Sequence, residues 1–271
     1  MEIWQAIVLG LAQGLTEFLP VSSSGHLVFL QRIFGIDGGL FIPIILHLGT
    51  LVAVCVIFYK DILDLFKKPF KTLLYLIVAS VPAAIIGLLL DDKIEELFYG
   101  STYVGLLLAI FFTITAGVLF ATEYIVKRRE NKLPLCWRTV LPMAFAQAFA
   151  ILPGISRSGS TICAGTLAGA KSEDVAKFSF LMSIPVILGS FIVSLIKGFV
   201  NGEIVQTFQD GGAVFGVSVA IGFVVSAISG LFAIKVMLKA IKNANYKWFS
   251  LYLVLLAITC IVLHCCNCFV H

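Results

Sequence analysis

The feature that most constrains this chain is the length of its uninterrupted apolar runs. Leu40 to Tyr59 and Tyr103 to Val126 are two of several that approach or exceed the ~20 residues a helix needs to cross about 30 Å of hydrocarbon. The composition agrees: 60% hydrophobic and 13% charged, against roughly 45–50% and 25% for soluble domains. Lipid is the natural solvent for such a chain. The apolar lengths are those of helices rather than of short barrel strands, so the expected fold is all-α, a single polytopic membrane domain over residues 1–271. The net charge of +4 is modest, and nothing in it points to a nucleic-acid partner.

Six spans follow from apolar length and polar interruption: 40–59, 72–90, 103–126, 175–197, 212–234 and 248–264. Basic residues follow the first span (Lys60, Lys67, Lys68, Lys71), the third (Lys127, Arg128, Arg129, Lys132, Arg138) and the fifth (Lys235, Lys239, Lys242, Lys247). Acidic residues hold the alternate loops: Asp91, Asp92, Glu95 and Glu96, then Glu203 and Asp210. Positive charge stays inside, which places the first set in the cytoplasm and the second outside. The N-terminus lacks a basic n-region and a small-residue cleavage site, so Met1 to Leu30 is expected to remain in the mature protein.

Two apolar segments remain, about 1–35 and 139–170, each broken near its middle by Pro, Gly and Ser. Loop charges keep their alternation only if each segment returns to the side it entered from. Both are therefore expected to be re-entrant helical hairpins, with irregular tips sheltered by protein or by a watery cavity.

The chain also repeats. Ala12-Gln13 matches Ala146-Gln147, and Ser22-x-Ser24-Gly25 matches Ser156-x-Ser158-Gly159, both at an offset of about 134 residues. Ile42-Pro43-Ile44-Ile45-Leu46 and Ile114-Thr115 recur as Ile184-Pro185-Val186-Ile187-Leu188 and Ile258-Thr259 in the same order. Each half, about 1–130 and about 139–265, holds one hairpin and three spans. An odd number of crossings makes the second half an inverted copy, an arrangement that places a site near the midplane where broken helices meet.

The first hairpin carries Glu17 one turn after Gln13 and just before Pro20. A carboxylate in an apolar segment costs several kcal/mol unless it is paired, protonated or metal-bound, which marks it as a functional candidate. Ser22, Ser23 and Ser24 stand where the outbound helix begins. Serine is a favoured N-cap, and a helix N-terminus suits an anionic phosphate. His26 is spaced to act on a serine hydroxyl or on a leaving oxygen, or simply to be satisfied by a nearby carbonyl.

The second hairpin reads Leu152-Pro153-Gly154-Ile155-Ser156-Arg157-Ser158-Gly159-Ser160-Thr161, and Arg157 is the only ionised side chain between Leu141 and Ala170. Its guanidinium fork matches phosphate oxygens, and Ser156, Ser158 and Thr161 add hydroxyls. This half reads as a phosphate cradle.

The motifs Gln-x-x-x-Glu-Phe-Leu-Pro-Val-Ser-Ser-Ser-Gly-His and Pro-Gly-Ile-Ser-Arg-Ser-Gly-x-Thr resemble the two signatures of the undecaprenyl-diphosphate phosphatase family, also called bacitracin-resistance proteins. The resemblance extends over the whole chain in length, span number and motif spacing. It implies a multi-pass protein of the bacterial plasma membrane, its active site facing outside. The implied reaction removes the terminal phosphate of the C55 isoprenoid diphosphate and regenerates the monophosphate carrier for peptidoglycan and cell-wall synthesis. Mapped by motif position, the catalytic residues would be Glu17, Ser23, His26 and Arg157, with Ser23 and His26 as the family's pair and Ser23 activated by His26 or Glu17. Gln13, Ser22, Ser24, Ser156, Arg157, Ser158 and Thr161 would bind substrate.

The resemblance also implies a divalent cation, Mg²⁺ or Ca²⁺, held by Glu17 and Gln13 with diphosphate oxygens and water. The family's first motif position admits Glu or Gln, and here Gln13 offers only a neutral ligand. A polyprenyl-phosphate flippase using the same cradle is the alternative. Cys260, Cys265, Cys266 and Cys268 beside His264 and His271 could hold a soft metal or form a plain terminal tail. Small-residue faces such as Gly105 to Gly117 could pack within the chain or in a homodimer.

Overall fold

The structure, a computed structural model, describes residues 1–36, 41–128, 133–200, 202–242, 245–266 and 268–269, with the side chains of 41, 203–211, 213 and 242 excepted. Leu40, Arg129, Lys132 and His271, and the side chains of Glu203 and Asp210, lie outside the described set. Eleven helices appear among the described residues: α1 (Ile3–Phe18), α2 (Ser23–Phe34), α3 (Phe41–Ile57), α4 (Tyr59–Leu65), α5 (Lys71–Glu95), α6 (Val104–Val126), α7 (Trp137–Phe149), α8 (Arg157–Leu167), α9 (Ser172–Val200), α10 (Glu203–Lys242) and α11 (Lys247–Cys265). Among the described residues the only β contact is an isolated bridge between Leu133 and Ala170. The chain is an all-α polytopic membrane protein.

Five stretches are long and apolar enough to cross a bilayer: Lys71–Gly100, Val104–Val126, Ser172–Val200, Val214–Ile241 and Lys247–Cys265. The expected first span, 40–59, is α3, which bends by 81° into α4 at its end and makes a sixth span when the bent pair is counted as one. The helix expected over 212–234 runs further in both directions. Its backbone kinks at Gly212 (φ 58°), and it continues past Lys235 and Lys239, which lie exposed on its last turns. Large apolar side chains such as Leu89, Phe120, Phe199 and Phe232 are exposed, as lipid contact requires.

The two broken segments fold as expected into paired short helices, α1 with α2 and α7 with α8. None exceeds 16 residues, about 24 Å of helix, so none crosses the hydrocarbon alone. Ala6, Leu9, Gly10, Gln13, Gly14 and Glu17 form a buried stripe along α1 at helical spacing, which widens at the C-terminal end with Thr16 and Phe18. That stripe faces α10, and α7 correspondingly packs on α5.

Small residues permit the close approach. A Cβ on Gly14 would meet the Ser229 side chain and lie 2.5 Å from the Ser226 carbonyl oxygen, and one on Gly49 would lie 2.5 Å from the Phe223 carbonyl oxygen. Ser226 Oγ also donates to the Leu46 carbonyl, 2.7 Å, tying α10 to α3. Gly105 packs in the same way against Cys260, His264 and Phe269 of this chain, whereas nothing lies within 4 Å of a Cβ on Gly117.

Candidate active site

The two helix breaks meet. Pro20 cannot continue α1, and the chain turns through Ser22 at φ 66°, a conformation rare for a residue with a side chain. Ser22 then caps α2 by accepting from the Gly25 amide at 3.4 Å. Ser156 caps α8 in the same way, accepting from the Gly159 amide at 3.1 Å. Two bonds stitch the breaks together: the Gly154 amide donates to Ser22 Oγ at 3.0 Å, and Ser158 Oγ donates to the Leu19 carbonyl at 2.9 Å. Thr115 of α6 braces the second break, donating to the Gly154 carbonyl at 2.9 Å and accepting from the Ser156 amide at 3.2 Å. The N-termini of α2 and α8, with their free N–H groups, are thereby fixed at one place.

Glu17 lies at that junction, 6% exposed. Arg157 Nη2 donates to its Oε1 at 2.5 Å. Its Oε2 accepts from Ser23 Oγ at 2.5 Å and from Gln13 Nε2 at 3.0 Å, with His47 Nε2 at 3.4 Å. The carboxylate and the guanidinium, 140 residues apart in sequence, thus form one buried ion pair. Arg157 Nη1 donates to the Ser179 carbonyl at 3.1 Å, and Thr161 Oγ1 lies 2.6 Å from Ser179 Oγ, so α9 holds the guanidinium in place. Thr161 therefore braces Arg157 and is absent from the cavity wall.

The site opens into a cavity of about 440 Å³. Glu17, Ser22, Ser23, Ser24, His47, Ser156 and Arg157 line its inner end, and Asp91 and Lys197 its far end. Between them Ala83, Leu88, Ile151, Ile187 and Val193 supply apolar wall. Lys197 Nζ reaches Asp91 and Asp92 at 2.7 Å each, joining the ends of α5 and α9.

His26 is not brought to Ser23. Its Nδ1 donates to the Ser22 carbonyl at 2.7 Å, its Nε2 lies 2.7 Å from Tyr252 Oη, and its ring stacks on Tyr252 with centroids 5.7 Å apart. The serine hydroxyl bonds Glu17 instead, so the expected Ser23–His26 pair is replaced by Ser23–Glu17. His47 is the site residue that sequence reasoning missed. It is the one cation-forming side chain between Leu40 and Tyr59, and the rule that singled out Glu17 in an apolar segment would have found it.

The cysteines do not gather. Cys260 is buried while Cys265, Cys266 and Cys268 are exposed. Among the described residues no three His, Cys, Asp or Glu side chains converge as a metal site.

With this geometry in view, comparison with known proteins is decisive. The family described as "Bacitracin resistance protein BacA" matches residues 6–259. This chain belongs to that family. A BacA-family relative from Carboxydothermus hydrogenoformans, named undecaprenyl-diphosphatase, is 42% identical over 97% of this chain and 98% of its own. Undecaprenyl-diphosphatases of Methanobrevibacter smithii and Bacteroides fragilis are 37% and 35% identical, over 93% and 97% of this chain and 94% and 98% of theirs. Both helix breaks, from Glu17 to Ser24 and from Pro153 to Thr161, fall inside the span that the BacA family matches.

Proposed function

We propose that this chain hydrolyses the terminal phosphate of undecaprenyl diphosphate, releasing phosphate and the monophosphate carrier needed for peptidoglycan synthesis and conferring bacitracin resistance. The observation that carries the reading is the convergence of Ser23, Glu17 and Arg157 at the end of a cavity between two helix N-termini. Anionic head groups suit that end of the cavity. The apolar wall between α5 and α9 lets the isoprenoid tail remain in lipid.

Ser23 is the nucleophile and Glu17 its base, already bonded at 2.5 Å. Arg157 neutralises charge on the phosphoryl oxygens, the main task in this chemistry. A divalent cation fits only with oxygens supplied by the substrate, since Glu17 is the one carboxylate among the described residues at the inner end of the cavity. Gln13 Oε1, buried and without a hydrogen-bond partner, and Glu17 would hold it, and it would add charge neutralisation. The two halves, about 1–130 and 139–265, act as an inverted repeat whose matching helices α1 and α7 pack on α10 and α5. The cavity faces the outside of the bacterial plasma membrane, because its far end reaches Asp91 in the acidic loop set.

The test is phosphate release from C55 diphosphate by the purified protein in detergent. Turnover in the wild type that Ser23→Ala abolishes supports the proposal. Binding of the lipid without any phosphate release overturns it in favour of a carrier.

A further inference from the structure

The cavity has a second charged end, which the chemistry at Glu17 and Arg157 does not use. Among the described side chains that line it, only Arg157, His47 and Lys197 can carry positive charge. From Ser179, whose carbonyl holds Arg157, α9 runs about five turns to Lys197, roughly 27 Å of helix. That is far longer than a diphosphate head, so one head group does not touch both cations. Ser190, Val193 and Ser194 line the stretch between them, and with Lys197 they recur at helical spacing on one face of α9. A cation with a hydroxyl one turn below it is a fitting grip for a phosphoryl group. Lys197 Nζ donates to Asp91 and Asp92 of α5, 2.7 Å each. The Asp92 side chain is 90% exposed and that of Asp91 31%. Ion pairs so open to water are weak, and an ammonium has three N–H donors, so an anion of higher charge can bind before either carboxylate lets go.

We propose that Lys197, with Ser194, is a second phosphate-binding station at the mouth of the cavity, and that its bonds to Asp91 and Asp92 are a latch which the arriving anion opens. The inference rests on the phosphatase reading above and adds a step before its chemistry. Asp91 and Lys197 lie near the C-terminal ends of α5 and α9, at the level where the polar head groups of a bilayer flank its hydrocarbon. A phosphorylated head arriving from that layer meets Lys197 first, and the two carboxylates turn to water. The ends of α5 and α9 are then no longer tied, on the side where the isoprenoid tail stays in lipid. The head moves inward along the Ser194 and Ser190 face to Arg157, whose planar fork is the better phosphate partner. Free phosphate leaving by the same route meets the same station, so the ligand is a phosphoryl group from either source.

The experiment measures phosphate release from C55 diphosphate by detergent-purified wild type, Ser23→Ala, Lys197→Met, Lys197→Arg and the Asp91→Asn, Asp92→Asn double variant, over a range of lipid concentration and with added inorganic phosphate as inhibitor. If the three groups only clamp α5 to α9, removing either side of the clamp has the same effect. A station predicts opposite signs. Lys197→Met should lower kcat/KM about tenfold with kcat changed less than about threefold, and Lys197→Arg should stay within about threefold of wild type. The Asp91→Asn, Asp92→Asn double variant releases the lysine and should raise kcat/KM about threefold. It keeps the cation, so it tests the station even if Lys197→Met fails to fold. Inhibition by inorganic phosphate tells the two sources apart: a change in kcat/KM assigns the station to the lipid head, and a change in phosphate inhibition alone assigns it to the released ion. Lys197→Met within about threefold of wild type in both readouts, or no gain in either from the double variant, overturns the inference. Failure of the parent reading would look different, as loss of phosphate release in the wild type or its persistence in Ser23→Ala.

Discussion

Ser22 and Ser156 occupy the same place in the two helix breaks, each capping the following helix through the amide of a glycine three residues on. Gln13 and Gln147 are likewise matched, each with a buried amide oxygen that lacks a partner. In that register the counterpart of Glu17 is Ile151 and the counterpart of Ser23 is Arg157. The backbone plan is thus shared while the side chains are divided: the first break holds the carboxylate and the serine bonded to it, the second the cation. A buried charge is tolerable only beside its opposite. The chain meets that requirement across the breaks rather than within either one.

The largest effect should come from removing what only the first break has. Ser23→Ala is expected to lower kcat by about 10⁴-fold or more, measured as phosphate release, because nothing in the second break replaces a nucleophile. A loss under tenfold would mean that the two breaks are not divided in this way and that water attacks directly. Next comes the charge shared between them. Arg157→Leu should cost about 3–5 kcal/mol of unfolding free energy in detergent, since it leaves Glu17 buried without its main partner. Adding Glu17→Gln should recover most of that loss. If the double variant is as unstable as the single one, the pair is not what holds the breaks together.

The stitching bonds between the breaks are worth less. Ser22→Ala removes both the α2 cap and the acceptor for the Gly154 amide, and should cost about 2 kcal/mol. Ser156→Ala removes a cap and a 3.3 Å contact with the Ser158 hydroxyl, but no bond to the other break, and should cost about 1 kcal/mol. Equal losses in the thermal unfolding midpoint would show that the Gly154 bond adds nothing to the cap.

Much of this arrangement was legible in the sequence. Each of the six expected spans coincides with a helix, α3, α5, α6, α9, α10 or α11, and both broken segments were found from their Pro, Gly and Ser clusters. Glu17 and Arg157 stood out because each is a lone charge in apolar surroundings, and physics demands that each have a partner. What could not be read is what depends on contacts between distant residues. Tyr252 takes up His26 across 226 positions, and no local pattern announces it. Ser179 holds Arg157 through a backbone carbonyl, which any residue would offer. The kink at Gly212 sits at the edge of a polar stretch read as loop, yet the backbone is helical on both sides of it. The 81° bend after α3 carries no proline to announce it.

The smallest effect separates strain from capping at Ser22. The residue has φ 66°, whereas Ser156 sits at an ordinary φ of −74°, so the same cap is made in one break against the backbone's preference and in the other with it. Glycine carries no penalty at positive φ and is a weaker but acceptable cap. Ser22→Gly should therefore be milder than Ser22→Ala by about 1.5–2 kcal/mol, whereas Ser156→Gly and Ser156→Ala should differ by only about 0.7 kcal/mol. The measurement is a four-variant comparison of thermal unfolding midpoints under identical detergent conditions. A matching Gly-to-Ala difference at the two sites would mean that Ser22 is not strained, and that the first break reaches its geometry without drawing on the bond that Gly154 donates from the second.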